Sequence, residues 1–272
     1  MSLASAYPLI AVKPIKAHPS RRASIRVAAT IPVELLLDST GRVGIPAYSV
    51  DIGLGGMCVQ TTSIIDSETV RAVRFSTGHE KISLQVSSRW STDLGGNGAP
   101  AIGLVFESID EAQRDALWDL IQMRARELGL FLSSCAGLDQ LSFEESVELA
   151  LATRRRKVPP GEMIYRGGEE PESSAVCVLL DGSAMLEPAQ GRFNQWISRI
   201  GPRELFGGLP VVANCSAFER AVAIEDASVL EFSAYAVENL LNTKPHLGVC
   251  LLRATCFHWM RRFAETLENT LD

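Results

Sequence analysis

At 272 residues the chain is too long for one small domain and points to about two. Its 46% hydrophobic and 21% charged residues exclude extensive disorder, and a net charge of −6 excludes polyanion binding by the molecule as a whole. The six cysteines form no C-x-x-C pair and the four histidines lack metal-ligand spacing, so free buried thiols in a reducing cytoplasm are expected and a bound metal is not. No stretch has the ~18 uncharged apolar residues of a spanning helix, and AYPLIAV near the start lacks the basic segment of a secretion signal. A cytoplasmic chain without a membrane anchor is expected.

Residues 1–19 read as a loosely held arm. The first 26 residues carry Lys13, Lys16, Arg21, Arg22 and Arg26 without an acidic residue, which focuses positive charge at one end. Arg22 and Arg26 stand in R-x-x-x-R spacing. From residue 28 to 107 the runs ATIPVELLLD, GIPAYSV, GMCVQTT, TVRAVRFST, KISLQVSSRWS and PAIGLVFES alternate apolar and polar residues or are rich in Val and Ile. Their near-regular spacing predicts a β-barrel, an architecture without exposed sheet edges. Between the second and third runs, DIGLGGM sets Asp51, Gly53 and Gly56 in D-x-G-x-x-G spacing. A helix is predicted from 110 to 128, with Ser108 as N-cap, Glu111 completing a capping box, and Ala116, Leu117, Leu120, Ile121 and Met123 on the apolar face. No low-complexity linker follows it, so the two halves are expected to be held together.

LSFEESVELALAT predicts a short second helix. The basic run Arg154, Arg155, Arg156 and Lys157 reads as its solvated end, with cations favoured by the helix dipole. Short strand-like segments broken by glycine turns occupy residues 158 to 233, and helical segments close the chain. From Gly248 onward, Val249, Leu252, Phe257, Met260, Phe263, Leu267 and Leu271 have a partly coiled-coil spacing. Such a helix either packs on its own barrel or pairs two copies in a homodimer, and no DNA-reading helix is expected after it.

The arginine pair and the acidic glycine turn have complementary chemistry. A guanidinium fork holds a phosphate, or the O6/N7 edge of guanine, through two parallel bonds, and its plane stacks on a base. A carboxylate accepts from guanine N–H groups, which no arginine can do. Each motif alone also fits a plainer role, as solvated surface or as a turn.

Taken together, R-x-x-x-R followed by D-x-G-x-x-G resembles the signature of the PilZ family, receptors for the bacterial second messenger cyclic di-GMP. The resemblance covers about residues 20 to 127. It implies a six-stranded barrel over 20–128 and ligand binding by Arg21, Arg22, Arg26, Asp51, Gly53 and Gly56. Gly53 stands where the family has serine, so one hydroxyl is missing.

Residues 130 to 272 resemble a cyclic-nucleotide-binding domain, the jelly-roll module of catabolite activator proteins. Pro160-Gly161-Glu162, Leu180 with Gly182, Gly201-Pro202, Phe206-Gly207 and the run from Glu225 to Leu230 carry the likeness. The fold class is therefore mainly β with flanking α-helices: a PilZ-like barrel over 20–128, then a jelly roll with a terminal helix over 129–272. The phosphate cassette departs from the family. Following Gly207, Gly208 occupies its glutamate position, Ala217 its arginine position, and Arg220 is the nearest substitute, with Glu219 beside it to neutralise it. Burying a phosphate without a guanidinium is costly, which disfavours cAMP or cGMP as ligand.

These readings imply a non-catalytic effector that binds cyclic di-GMP, needs no cofactor, and relays the signal to a protein partner by domain rearrangement. The alternative is a nucleotide-independent scaffold in which both domains have lost their ligands. No nucleophile elbow, Walker loop, His-Glu metal motif or recognisable catalytic carboxylate pair occurs, so an enzyme is not expected.

Overall fold

The computed structural model describes residues 26–37, 44–78, 80–92, 99–168, 170, 173–189, 198–213 and 215–271, with side chains through 265. The expected arm at 1–19, Arg21, Arg22, the LGGNG loop, His18, His79 and the side chains of Leu267 and Leu271 lie outside the described residues.

The first half is a barrel. Its strands are β1 (Arg26–Ala28), β2 (Pro32–Leu36), β3 (Gly44–Gly53), β4 (Gly56–Thr61), β5 (Ala72–Ser76), β6 (Lys81–Thr92) and β7 (Ala101–Phe106). Their order is β1-β3-β2-β5-β6-β7-β4, and antiparallel pairing of β3 with β4 closes β2 to β7 into six staves. The β1 strand continues the line of β2 along the same edge of β3. Where these two strands separate, the buried Ser49 hydroxyl donates to the Ala29 carbonyl at 2.5 Å and accepts from the Ile31 N–H at 3.0 Å. Period-2 patterning decides the wall: on β6, Ile82, Leu84 and Val86 are buried while Lys81, Ser83, Gln85 and Ser87 face outward.

Helix α1 (Glu111–Leu132) packs against β1 and β3 and then against α2 (Phe143–Ala150). Asp110, not Ser108, caps α1: its extended backbone lets its carboxylate accept from the Gln113 N–H at 2.7 Å, and Gln113 completes the capping box in place of Glu111. Leu117, Leu120 and Ile121 are buried as expected, and the stripe runs on through Ala125, Leu128 and Leu132. Met123 falls off that stripe and is exposed. Ser142 and Glu145 form the capping box of α2.

The basic run is not the end of α2. That helix stops at Ala150, whose carbonyl accepts from the Thr153 hydroxyl at 2.7 Å, and Arg154–Val158 form strand β8. The remaining elements are β9 (Met163–Tyr165), β10 (Ala175–Asp181), β11 (Ala184–Pro188), β12 (Ser198–Ile200), β13 (Leu205–Gly207), α3 (Leu209–Ala213), β14 (Glu219–Ala223), β15 (Ala227–Ser233), α4 (Ala234–Thr243) and α5 (Pro245–Leu271). Two four-stranded sheets, β13-β10-β15-β8 and β12-β11-β14-β9, enclose a core of Val158, Ile164, Leu179, Leu186, Phe206 and Val229 among others. This is the expected jelly roll. The other face of the first sheet, through Val176, Val178, Leu205, Leu230 and Phe232, joins α1, α2, α4, α5 and the barrel interior in one continuous apolar core.

None of the six cysteines forms a disulfide. Cys135, Cys177 and Cys250 are buried, Cys58 and Cys215 are half-buried, and Cys256 is exposed, so burial of the thiols is only partly as expected. Desolvation raises the Cys135 thiol to about 12. Among the described residues no three His, Cys, Asp or Glu side chains converge on a metal-sized site, and no helix is long and apolar enough to cross a membrane.

Candidate functional site

The β3–β4 hairpin turns at Leu54-Gly55, and Gly53 faces Gly56 across it. On the other edge of β3, β1 sets Arg26 opposite Gly53 and Ala28 opposite Asp51. That register joins the described end of the arginine motif to the acidic turn. Arg26 Nη1 donates to Asp51 Oδ1 at 2.7 Å, and the Asp51 side chain is only 8% exposed. Gly56 has φ +153°, and a Cβ there would sit 2.1 Å from the Leu104 carbonyl oxygen on β7, so only glycine lets the hairpin lie against that strand. Gly53 has no positive φ and is glycine for no such backbone reason. Thus Arg26, Asp51, Gly53 and Gly56 come together at one end of the barrel.

Strand β8 runs beside β1 and β3 as the outer strand of its own sheet, and it brings cations to this end of the barrel. Its alternation sorts them by side. Arg154 and Arg156 share the buried Glu231 carboxylate, each at 2.6 Å. Partial burial alone would depress the Arg154 guanidinium, but Glu231, and further off Asp51, hold it above its ordinary value. Arg155 and Lys157 point the other way, into a cleft between the domains also lined by Thr30, Tyr48, Gln60 and Thr62.

In the second domain Gly207, Gly208, Leu209, Pro210, Ala217, Phe218, Glu219 and Tyr165 line one pocket. No cation is among its described lining residues. Gly208 has φ +70°, and a Cβ there would meet Val176 Cγ2 at 2.5 Å, so a side chain at this position is refused by both backbone and neighbour. Strand alternation sends Glu219 and Arg220 to opposite faces. Arg220 therefore does not substitute in the pocket: it pairs with Glu187 on β11 at 2.6 Å and is half-exposed. Nor does Glu219 neutralise it. Glu219 turns inward, 3% exposed, and accepts from the Tyr165 hydroxyl at 2.6 Å. Its second oxygen has no hydrogen-bond partner among the described residues. Burial raises the Glu219 carboxyl and pushes the Tyr165 phenol well above its ordinary value; burial also lowers Arg262, although Glu219 opposes that. Arg262 reaches in from α5 and donates to the Leu205 carbonyl at 2.8 Å. Sequence reasoning missed this trio because its members lie far apart in the chain.

The sequence matches the family profile of the PilZ domain over residues 20–123 and that of the cyclic nucleotide-binding domain over residues 155–244. Among solved structures it is similar to a cyclic nucleotide-binding domain from Methylobacillus flagellatus, at 18% identity over 55% of this chain and 84% of that one, with TM-score 0.47. A regulatory subunit of a cAMP-independent protein kinase A from Trypanosoma cruzi, bound to guanosine, is 20% identical over 54% of this chain and 50% of that one, with TM-score 0.40. This chain thus spans about half the length of that subunit. The N-terminal domain of a transcriptional regulator from Streptomyces coelicolor is 21% identical over 52% of this chain and 96% of that one, with TM-score 0.39. No curated protein matches the sequence. The chain therefore carries a PilZ domain over residues 20–123, followed by a cyclic nucleotide-binding domain over residues 155–244.

Proposed function

We propose that the chain is a non-catalytic, cytoplasmic signalling effector that binds cyclic di-GMP at the PilZ barrel and relays that event to a protein partner. The carrying observation is the Arg26–Asp51 contact at 2.7 Å, in a register that sets Arg26, the described end of the arginine motif, against the D-x-G-x-x-G hairpin. In this reading Arg21, Arg22 and Arg26 grip phosphates and the guanine O6/N7 edge, and Asp51 accepts from guanine N–H groups. Gly53 and Gly56 let the ligand approach the backbone. The domains divide at 128/129, and the ligand acts by favouring one of their relative placements, which requires that it bind the two placements unequally.

The second domain works without a cyclic nucleotide in this reading. Gly208, Ala217, the absence of a cation among the described lining residues and the outward Arg220 all support that assignment. It serves as output surface, and α5 offers Val249, Phe257, Met260 and Phe263, all exposed, as a homodimer face. Calorimetric titration of the full chain with cyclic di-GMP tests the proposal. Saturable heat that Arg26→Ala abolishes is expected. No heat at roughly tens of micromolar ligand, equivalent to binding weaker than about 6 kcal/mol, would instead favour a nucleotide-independent scaffold.

A further inference from the structure

The two cations that β8 turns toward the barrel, Arg155 and Lys157, stand without a direct ion-pair partner among the described residues. Arg154 and Arg156, by contrast, are neutralised by Glu231 on the opposite side of the same strand. Arg155 Nε donates to the Ser228 hydroxyl at 2.7 Å, which fixes the guanidinium. Among the described residues its two terminal nitrogens make no further hydrogen bond. Burial depresses this guanidinium below its ordinary value, and Asp181 offsets only part of the effect. A contact built for stability alone pairs such charges or replaces them with apolar side chains. A fixed guanidinium and an ammonium converging on one cleft form an anion site instead.

The opposite wall suits a nucleotide. Tyr48, 54% exposed, presents an aromatic ring; Thr30, Gln60 and Thr62 supply hydrogen-bonding groups. Ser49 and Val50 also line this cleft, so it runs directly into the Asp51 hairpin along β3. We propose that the second domain supplies the far wall of the messenger site, with Arg155 and Lys157 holding a phosphate of the guanine dinucleotide and Tyr48 stacking on a purine face. This inference rests on the cyclic di-GMP reading above. It gives that reading a physical relay: one ligand touching both domains stabilises the placement in which the cleft is closed, and it offsets the hydroxyl that Gly53 lacks.

The test is calorimetric titration of cyclic di-GMP into the full chain, comparing wild type with Lys157→Ala, Arg155→Gln and Lys244→Ala. Lys244 pairs with Glu148 outside the cleft and controls for net charge. Losing a charge-assisted contact is expected to weaken binding about tenfold in Lys157→Ala and about tenfold or more in Arg155→Gln, with the control within about twofold of wild type. Lys157 is solvent-exposed, so its variant keeps its fold and its melting temperature even if Arg155→Gln loses them. Wild-type affinity in both variants, alongside lost binding in Arg26→Ala, overturns the shared site and leaves the messenger reading standing. No binding by wild type removes both.

Discussion

Gly56 is the position where the signature motif and the barrel wall make one demand, and Gly56→Ala measures it. The added methyl would lie 2.1 Å from the Leu104 carbonyl oxygen and 3.1 Å from Val105 Cα, against ordinary contact from 3.4 Å. Both atoms are backbone, so β4 and β7 must part by more than an ångström at that point. Parting them endangers the bond from the Phe106 N–H to the Gly55 carbonyl, 3.2 Å long. Holding alanine at φ +153° costs ~1–3 kcal/mol, and a weakened ladder bond about 1 more. A total near 3 kcal/mol is a large share of the ~5–15 kcal/mol that keeps a domain folded. Urea unfolding followed by tryptophan fluorescence reads it. Trp90 on β6 lies over Gly103 on β7, so its indole reports the strand being displaced. A loss below ~1 kcal/mol with an unchanged denaturant slope would refute the reasoning. The hairpin would then yield locally, and Gly56 would serve ligand approach alone.

Three further outcomes are expected. Gly208→Glu, which returns the family's glutamate, does not create cAMP binding and lowers stability by ~2 kcal/mol, because φ +70° and Val176 both oppose a side chain; saturable cAMP heat in that variant would contradict this. Glu219 titrates above its ordinary value because it is desolvated. Its favourable contribution is thus complete below the unfolded value of 4.5 and falls away as pH rises through the folded value. Thermal melts of wild type against Glu219→Gln should therefore shift in favour of the variant as pH rises above 4.5, and a pH-independent difference would show that the carboxyl ionises as if in water. Iodoacetamide at neutral pH should label Cys256 before Cys177 and Cys250 and leave Cys135 unmodified until unfolding, since a thiol raised to about 12 and buried offers almost no thiolate. Labelling of Cys135 in the native protein, read by mass spectrometry, would contradict its placement.

How far the sequence could be read depended on whether the deciding information was local. The walls of both barrels were legible because alternation is a neighbour-to-neighbour signal, clearest in the run from Lys81 to Ser87. The start of α1 was not, since Ser108 and Asp110 are both competent caps and only the backbone at 110 chooses between them. The strand at Arg154–Val158 was hidden by its composition. A run with one apolar residue reads as solvated surface, and the partners that order it, Glu231 and Ser228, come more than 70 residues later on β15. Glu219 and Arg220 illustrate the same limit: adjacent in sequence, they look like a neutral pair, yet the pleat sends one to Tyr165, 54 residues away, and the other to Glu187. At the candidate site, residue types could be named from spacing. Which of them meet required the pairing of β1 with β3.

One apolar core runs from the barrel through the helices to the first sheet of the jelly roll. Neither module is then a cartridge that can be lifted out or exchanged, because each one's inner wall is the other's packing surface. A displacement at the hairpin end cannot dissipate in a slack tether. Close-packed side chains exchange one fitted arrangement for another, so the response expected of this molecule is stepwise, and methyl-sized changes at Leu117 or Leu120 would shift its threshold without approaching any ligand.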